Sequence, residues 1–255
     1  MAEERVTVYF VGAGPGDPEL ITVKGRKVLE AADIIVYAGS LVNQALLEGL
    51  KAAIYDSAHM TLDDIIGIMK GAAEKGLLVA RLHTGDTAFY SAISEQIERL
   101  RDLKITYEVI PGVSSAMAGA AFLGQELTVP EISQTVIFTR LGGRTPVPEK
   151  EGLAGLARHK ASMVIFLSAG MIEKVVEELL KGYPGRTPAV VIEKASWPEQ
   201  KVVRGSLKEI AALAREAGVE KTALIYVGES LRASRENLGK ASRLYHKAFT
   251  HGYRK

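Results

Sequence analysis

The stretch Val8-Tyr-Phe-Val-Gly-Ala-Gly-Pro-Gly-Asp-Pro-Glu-Leu-Ile-Thr-Val-Lys-Gly25 decides the fold of this chain. An apolar, β-rich run ends in a tight glycine loop, and a helical pattern follows. Gly12 and Gly14 occupy the first two positions of a G-x-G-x-x-G dinucleotide fingerprint, but the third falls on Asp17. A carboxylate there would face a pyrophosphate at close range. Pro15 also removes a backbone donor that such a loop would aim at phosphate. The next predicted strand, Asp33 to Gly39, ends in Tyr37 and Ala38, where a ribose-binding acid belongs. A nicotinamide dinucleotide is therefore rejected. What remains is a rigid, acidic strand-to-helix loop suited to a neutral or cationic ligand.

Working outward, strand and helix patterns alternate. Strands are predicted at Val6–Val11, Asp33–Tyr37, around Ile54, at Leu77–Leu82 and at Ile105–Ile110. Helices are predicted at Val23–Ala32, Leu41–Leu50, after Thr61 with a hydroxyl cap and acids in the first turn, and at Ser114–Leu123. Another, carrying Ile93, Ile97 and Leu100 at i, i+4, i+7, is read as starting at Phe89 and Tyr90. The continuous apolar run of Asp33–Tyr37 is that of a strand buried on both faces. Gly124 to Ser133, polar and proline-containing, breaks the rhythm and sets the domain boundary: residues 1–124 form an N-terminal α/β domain with the glycine-rich loop, and 125–255 a C-terminal α/β domain with a basic tail. In the second half, consecutive strands around Val191 and Val202 lack an intervening helix and read as a hairpin. The second sheet is therefore expected to be mixed and the first mostly parallel.

Length and composition bound the function. At 255 residues and 47% hydrophobic content the chain can fill two modest α/β cores. A net charge of +2 is too near balance to argue for nucleic acid. The absence of cysteine excludes disulfides and thiolate metal sites. The acidic start Met-Ala-Glu-Glu-Arg runs straight into a strand, so no signal peptide is read, and no apolar run approaches the ~20 residues that span a bilayer. The chain reads as soluble and cytoplasmic. The five histidines, His59, His83, His159, His246 and His251, are scattered without an i, i+4 pair, so no protein-bound metal is expected.

Ligand sites of open α/β sheets lie beyond the carboxyl ends of strands. Four loops qualify: Gly12–Asp17, Ala38–Asn43, His83–Tyr90 and Pro111–Ser115. All leave first-domain strands, and a cleft between domains is the expected site. Three of these motifs, Gly12-Ala-Gly-Pro-Gly-Asp17, Gly85-Asp86 and Pro111-Gly-Val-Ser-Ser-Ala116, stand in an order and spacing that resemble the tetrapyrrole (corrin/porphyrin) methyltransferases that use S-adenosylmethionine. The resemblance runs nearly end to end. Within the family, Tyr37-Ala-Gly-Ser-Leu-Val-Asn43, His83-Thr-Gly-Asp86 and the tail Leu244–Arg254 resemble the branch acting on C11 of precorrin-4.

The resemblance implies the tetrapyrrole methylase fold, a homodimer of two-domain chains, and S-adenosylmethionine folded in the inter-domain cleft. S-adenosylhomocysteine is the implied product and an anionic tetrapyrrole the implied substrate, with neither nucleic acid nor membrane as partner. Positions matching the family's cofactor contacts are Pro15, Thr84, Gly85, Asp86, Phe89, Ser114 and Ser115, and in the second domain Leu167, Ala195 and Ala223.

The remaining chemistry is read against plainer roles. Asp17 and Asp86 are the candidate catalytic acids; either could instead cap the helix that follows. Ser114 and Ser115 lack a G-x-S-x-G setting and an activating base, so they are read as exposed helix N-terminal donors rather than nucleophiles. The basic tail from Arg232 onward, with Arg140 and Arg144, is a solvated or dimer-contact surface that could also attract a polycarboxylate. Methyl transfer from a sulfonium needs alignment and exclusion of water more than acid–base apparatus, which suits loops built of backbone. The expected reaction is methylation of C11 of precorrin-4 or its cobalt form. Methylation at another ring position or of uroporphyrinogen III, an RNA or protein methyltransferase of the same fold, and a non-catalytic S-adenosylmethionine-binding module are the alternatives.

Overall fold

The computed structural model describes residues 6–233 together with Glu236, Ser242, Phe249 and Thr250. The chain divides into two units, Met1–Ala118 with Ala195–Glu199, and Gly119–Lys194 with Gln200–Lys255. Where the sequence reading divides the chain at 124/125, these units part earlier, within a helix. The cause is local. A Cβ on Gly119 would lie 2.1 Å from the hydroxyl of the buried Tyr226, so from Gly119 onward that helix packs with the second unit's sheet.

The first unit is a five-stranded parallel sheet. Its strands are β1 (Val8–Gly12), β2 (Ile34–Tyr37), β3 (Ala53–Asp56), β4 (Val79–His83) and β5 (Tyr107–Ile110), in the order β3-β2-β4-β1-β5. Alternation along each strand feeds two cores. Val8, Phe10, Val36 and Val79 join Ile65, Ile66, Met69 and Leu100 on the face covered by α2 (Leu62–Ala73) and α3 (Ile93–Asp102). Val11, Ile35, Ala80 and Leu82 join Leu29 and Leu46 on the face covered by α1 (Val23–Ala31) and the segment after β2. Fully burying a side chain such as Leu29 contributes roughly 1.5–3 kcal/mol. Thr61 and Asp64 close a reciprocal capping box on α2, as the hydroxyl and first-turn acids predict.

Leu41–Leu50, predicted to be one helix, is instead two short 3-10 turns, Gly39–Leu41 and Gln44–Leu46. Asn43 breaks it by turning its side chain onto the Ala45 amide, an Asx turn that competes with helix.

The second unit carries β6 (Val136–Arg140), β7 (Ser162–Phe166), β8 (Pro188–Glu193), β9 (Lys201–Ser206) and β10 (Ala223–Val227), in the order β6-β7-β10-β8-β9. Only β6 and β7 are parallel to each other; β8 and β9 form the expected antiparallel hairpin. A core of Met163, Ile165, Val175, Leu179, Val191, Ile210 and Ile225 fills the face under α5 (Leu153–Ala157), α6 (Ile172–Leu180) and α7 (Ile210–Glu216). The mixed second sheet and mostly parallel first sheet expected from sequence are thus present. Among the described residues no helix is long and apolar enough to cross a membrane.

Candidate functional site

In a parallel sheet all strands end at one edge. Here β4, β1 and β5 are neighbours, so the loops after them start side by side. The chain leaves β1 toward β2 through α1 on one face and leaves β4 toward β5 through α3 on the other, so connections from adjacent strands take opposite faces of the sheet. That is the switch point at which open α/β sheets bind ligands.

Three loops meet there main chain on main chain. Gly14 and Gly85 exchange both backbone hydrogen bonds, Gly85 N to Gly14 O at 2.8 Å and Gly14 N to Gly85 O at 3.2 Å, while Ala13 N donates to His83 O at 2.7 Å. Both glycines hold left-handed backbone, with φ of 80° and 65°, which other residues adopt at a cost. The third loop comes closer still. A Cβ on Gly112 would lie 2.1 Å from Gly85 O, and one on Gly12 would lie 2.6 Å from Gly112 Cα. The absence of side chains is what lets these three loops touch.

Asp86 serves this junction directly. One carboxylate oxygen accepts from Ala88 N at 2.8 Å and the other from Gly112 N at 2.7 Å, tying the loop after β4 to the loop after β5. Asp17 caps its own turn, accepting from Glu19 N at 2.9 Å. Asp17 therefore does what the plainer reading gave it, whereas Asp86 caps no helix, since α3 begins only at Ile93, and instead joins two loops. Thr84 and Phe89 lie half-buried in the loop between β4 and α3, and Ser115 is half-buried at the first position of α4 (Ser115–Phe122). Ser114, expected to be exposed, is 5% exposed, and its hydroxyl accepts from Ala116 N at 3.3 Å as a cap. Phe89 and Tyr90 do not start a helix. Tyr90 and Ala92 take φ of 55° and 50°, and α3 begins at Ile93.

Pro15, also buried, has its carbonyl bonded by Trp197 Nε1 at 2.8 Å. Trp197 and the buried Ala195 belong to the short segment Ala195–Glu199 that the first unit includes. Nine of the predicted positions, Pro15, Asp17, Thr84, Gly85, Asp86, Phe89, Ser114, Ser115 and Ala195, thus lie in the first unit. The other two lie in the second. Leu167, just beyond β7, is 69% exposed at φ of 52°, thrust outward because the fully buried Ser168 bonds Phe166 O and Leu141 N. Ala223 opens β10 with its side chain in the apolar core.

Sequence reasoning passed over a buried polar group beneath the same edge. Arg81 is 5% exposed and donates to Val36 O and Gln96 Oε1, each at 3.2 Å. Among the described residues no carboxylate pairs with it, and burial lowers its pKa to about 10. Gln96 passes the contact on to Ala92 O at 3.2 Å, bracing the left-handed residue that ends the loop after β4. His83, two residues along β4, is buried with Nε2 unpartnered among the described residues. Burial first, and the Arg81 charge second, push its pKa down to about 3, so it is neutral near pH 7. An arginine inside an apolar strand was the signal that could have been followed.

Arg140, expected to attract anions, spends its guanidinium on the carbonyls of Thr145 and Pro146, at 3.1 and 2.7 Å. In the tail Arg232 pairs with Glu229. Arg235, Lys240, Arg243, Lys247, Arg254, Lys255, His246, His251, the Leu244–Arg254 motif apart from Phe249 and Thr250, and the first five residues lie outside the described residues.

The family model for Tetrapyrrole (Corrin/Porphyrin) Methylases matches residues 7–211. The chain belongs to the tetrapyrrole methylases. Among relatives of this family, the cobalt-precorrin-4 C(11)-methyltransferase of Methanocaldococcus jannaschii is 55% identical over 251 residues, covering 97% of this chain and 96% of that protein. The precorrin-4 C(11)-methyltransferase of Pseudomonas aeruginosa is 49% identical over 250 residues, covering 98% and 99%. An X-ray structure of a cobalt precorrin-4 methyltransferase of cobalamin biosynthesis superposes with a TM-score of 0.86 at 45% identity, covering 88% of this chain and 95% of that one. A uroporphyrin-III C-methyl transferase of Thermus thermophilus, complexed with S-adenyl homocysteine, matches with a TM-score of 0.75 at 28% identity, covering 93% and 99%. As a tetrapyrrole methylase the chain is a methyltransferase.

Proposed function

We propose that this chain transfers the methyl group of S-adenosylmethionine to C11 of precorrin-4, or of its cobalt form, in cobalamin synthesis. The observation that carries this reading is the end-to-end identity, 45–55% over at least 97% of this chain, with three relatives named for that reaction. The loop edge supports it. The amides of Ala13, Gly14, Gly85 and Gly112 are spent on His83 O, Gly85 O, Gly14 O and the Asp86 carboxylate, so these four donors do not form the cradle a polyphosphate needs, and the acidic loop suits a ligand carrying a sulfonium and an ammonium group better.

When bound, S-adenosylmethionine supplies a methyl already activated on a cationic sulfur, and S-adenosylhomocysteine leaves with the electron pair of the broken carbon–sulfur bond. The chain's work is to hold the acceptor carbon in line and keep water out. We assign Pro15, Thr84, Gly85, Asp86, Phe89, Ser114, Ser115, Leu167, Ala195 and Ala223 to the cofactor. Asp17 and Asp86 are the acids of the site. Asp86 acts there through the loops it joins, and Asp17 stands at the substrate side of the glycine loop. The same reading carries a cytoplasmic homodimer, which sedimentation tests as twice the 27.5 kDa chain mass.

The deciding experiment incubates the protein with carbon-13 methyl-labelled S-adenosylmethionine and either precorrin-4 or cobalt-precorrin-4, and locates the label by NMR. Label at C11 is expected. Label at another ring carbon, on uroporphyrinogen III, or only on macromolecules overturns the assignment.

A further inference from the structure

Apart from the local bond from Leu20 N to Asp17 O at 3.0 Å, the peptide run Pro15-Gly16-Asp17 is held by side chains. It belongs to no strand, and the 3-10 turn Pro18–Leu20 begins only after it. Pro15 O accepts from Trp197 Nε1 at 2.8 Å, Gly16 O accepts from Asn43 Nδ2 at 2.8 Å, and Asp17 N donates to Ser196 Oγ at 2.9 Å. Two of those three partners are neighbours in sequence and lie about 180 residues from the loop, at separations of 182 and 179. The indole also occupies the place of the missing side chain of the loop, since a Cβ on Gly16 would lie 2.1 Å from Trp197 Cδ1. Ser196 adopts φ of 68°, a conformation that costs a non-glycine residue on the order of 1 kcal/mol and persists only where the surroundings enforce it. The segment Ala195-Ser-Trp-Pro-Glu199 thus holds an unfavourable backbone in order to place one hydroxyl and one indole on three consecutive residues of the glycine loop.

We propose that Trp197, with Ser196, is a positioning residue for the methyl donor: it fixes the main chain of Pro15, Gly16 and Asp17 in the conformation that binds S-adenosylmethionine and its product. The inference rests on the proposed function. It adds a residue that no cofactor contact named above includes. The indole N–H is the part that holds the Pro15 carbonyl, and the ring is the part that fills the space over Gly16. Trp197→Phe separates the two, because it keeps an aromatic ring and removes the donor.

Trp197 is the only tryptophan in the chain, so its emission reports on this loop without labelling. Saturating S-adenosylhomocysteine is expected to shift the emission of the wild-type protein with the same dissociation constant that calorimetry gives. Trp197→Phe is expected to weaken that constant by roughly 5–10-fold, the range of one well-oriented hydrogen bond, with the thermal midpoint within a few degrees of wild type. Ser196→Ala, which keeps the indole, is the second variant, expected to weaken binding by a smaller factor and to retain the emission shift. A purely structural tryptophan would do the reverse, lowering the midpoint and sparing the affinity of what remains folded. The inference is overturned if the wild-type emission is silent at saturation and Trp197→Phe binds within twofold of wild type. That outcome leaves the proposed function standing. Wild-type protein that binds no S-adenosylhomocysteine removes both, and binding with label at the wrong ring carbon removes only the substrate.

Discussion

Substituting Gly112 with alanine tests the main-chain junction at its tightest point. The added Cβ would lie 2.1 Å from Gly85 O and 2.8 Å from Gly12 Cα, and both neighbours are backbone, so no flexible side chain can swing aside. Reaching even 3.0 Å, below which real Cβ contacts essentially never fall, requires the loops after β4 and β5 to part by roughly 1 Å. Three hydrogen bonds span or adjoin that gap: the pair between Gly14 and Gly85, and Gly112 N to Asp86 at 2.7 Å. A neutral hydrogen bond contributes about 1 kcal/mol net and one to a charged group about 1.5–3 kcal/mol, while overpacking relieved by backbone movement costs about 1–3 kcal/mol. Partial loss of the three bonds places the destabilisation of Gly112→Ala at about 2–4 kcal/mol. Urea unfolding followed at Trp197, which lies in the same unit, reads it directly. Because a displacement of about 1 Å can cost up to 100-fold where geometry is demanding, S-adenosylhomocysteine affinity is expected to fall at least tenfold. A variant within about 0.5 kcal/mol of wild-type stability and within twofold of its affinity would refute the claim that this contact shapes the site.

Gly67, on the exposed side of α2, has nothing within 4 Å of an added Cβ. Gly67→Ala is expected to stabilise by about 0.5–1 kcal/mol and leave binding unchanged, a control for the opposite sign at Gly112. His83, with its folded pKa near 3 against 6.5 for the free side chain, binds a proton in the unfolded state before it does so in the folded one. Its contribution is therefore fully present above pH 6.5 and is lost as pH falls toward 3, at up to about 1.4 kcal/mol per pH unit. Urea titrations of His83→Leu between pH 7 and 4.5 should show a flatter acid limb than wild type; parallel limbs would mean that the histidine is not held neutral. Asp86→Asn keeps one carbonyl acceptor where the carboxylate uses two oxygens. Calorimetry should show weaker S-adenosylhomocysteine binding and steady-state assays a kcat at saturating donor within a few fold of wild type, whereas a collapse of kcat with unchanged affinity would make Asp86 an acid in the chemistry itself.

How far residue patterns alone carry is clear from particular elements. The parallel first sheet was legible because Asp33–Tyr37 is apolar without alternation and each strand run is followed by a helical pattern, and β8–β9 was legible because nothing helical separates Val191 from Val202. The capping box at Thr61 and the glycine loops were legible because their signals are local. Leu41–Leu50 was misread for the same reason: its apolar spacing is helical, but Asn43 has a backbone amide in reach and takes it.

What the sequence by itself determined is the fold class, the family and the four loops that follow the first unit's strands, since those depend on residue order and periodicity. Only the tertiary structure decided what each polar group in those loops is for. That Asp86 spends both oxygens on two amides, that Gly112 must lack a side chain because Gly85 O occupies its place, and that a tryptophan about 180 residues away holds Pro15 follow from strand order and chain return, and no local pattern encodes them. The physical reason is range: propensity and capping act over a few residues, whereas the hydrogen bonds that aim this loop join residues brought together only when the sheet has closed.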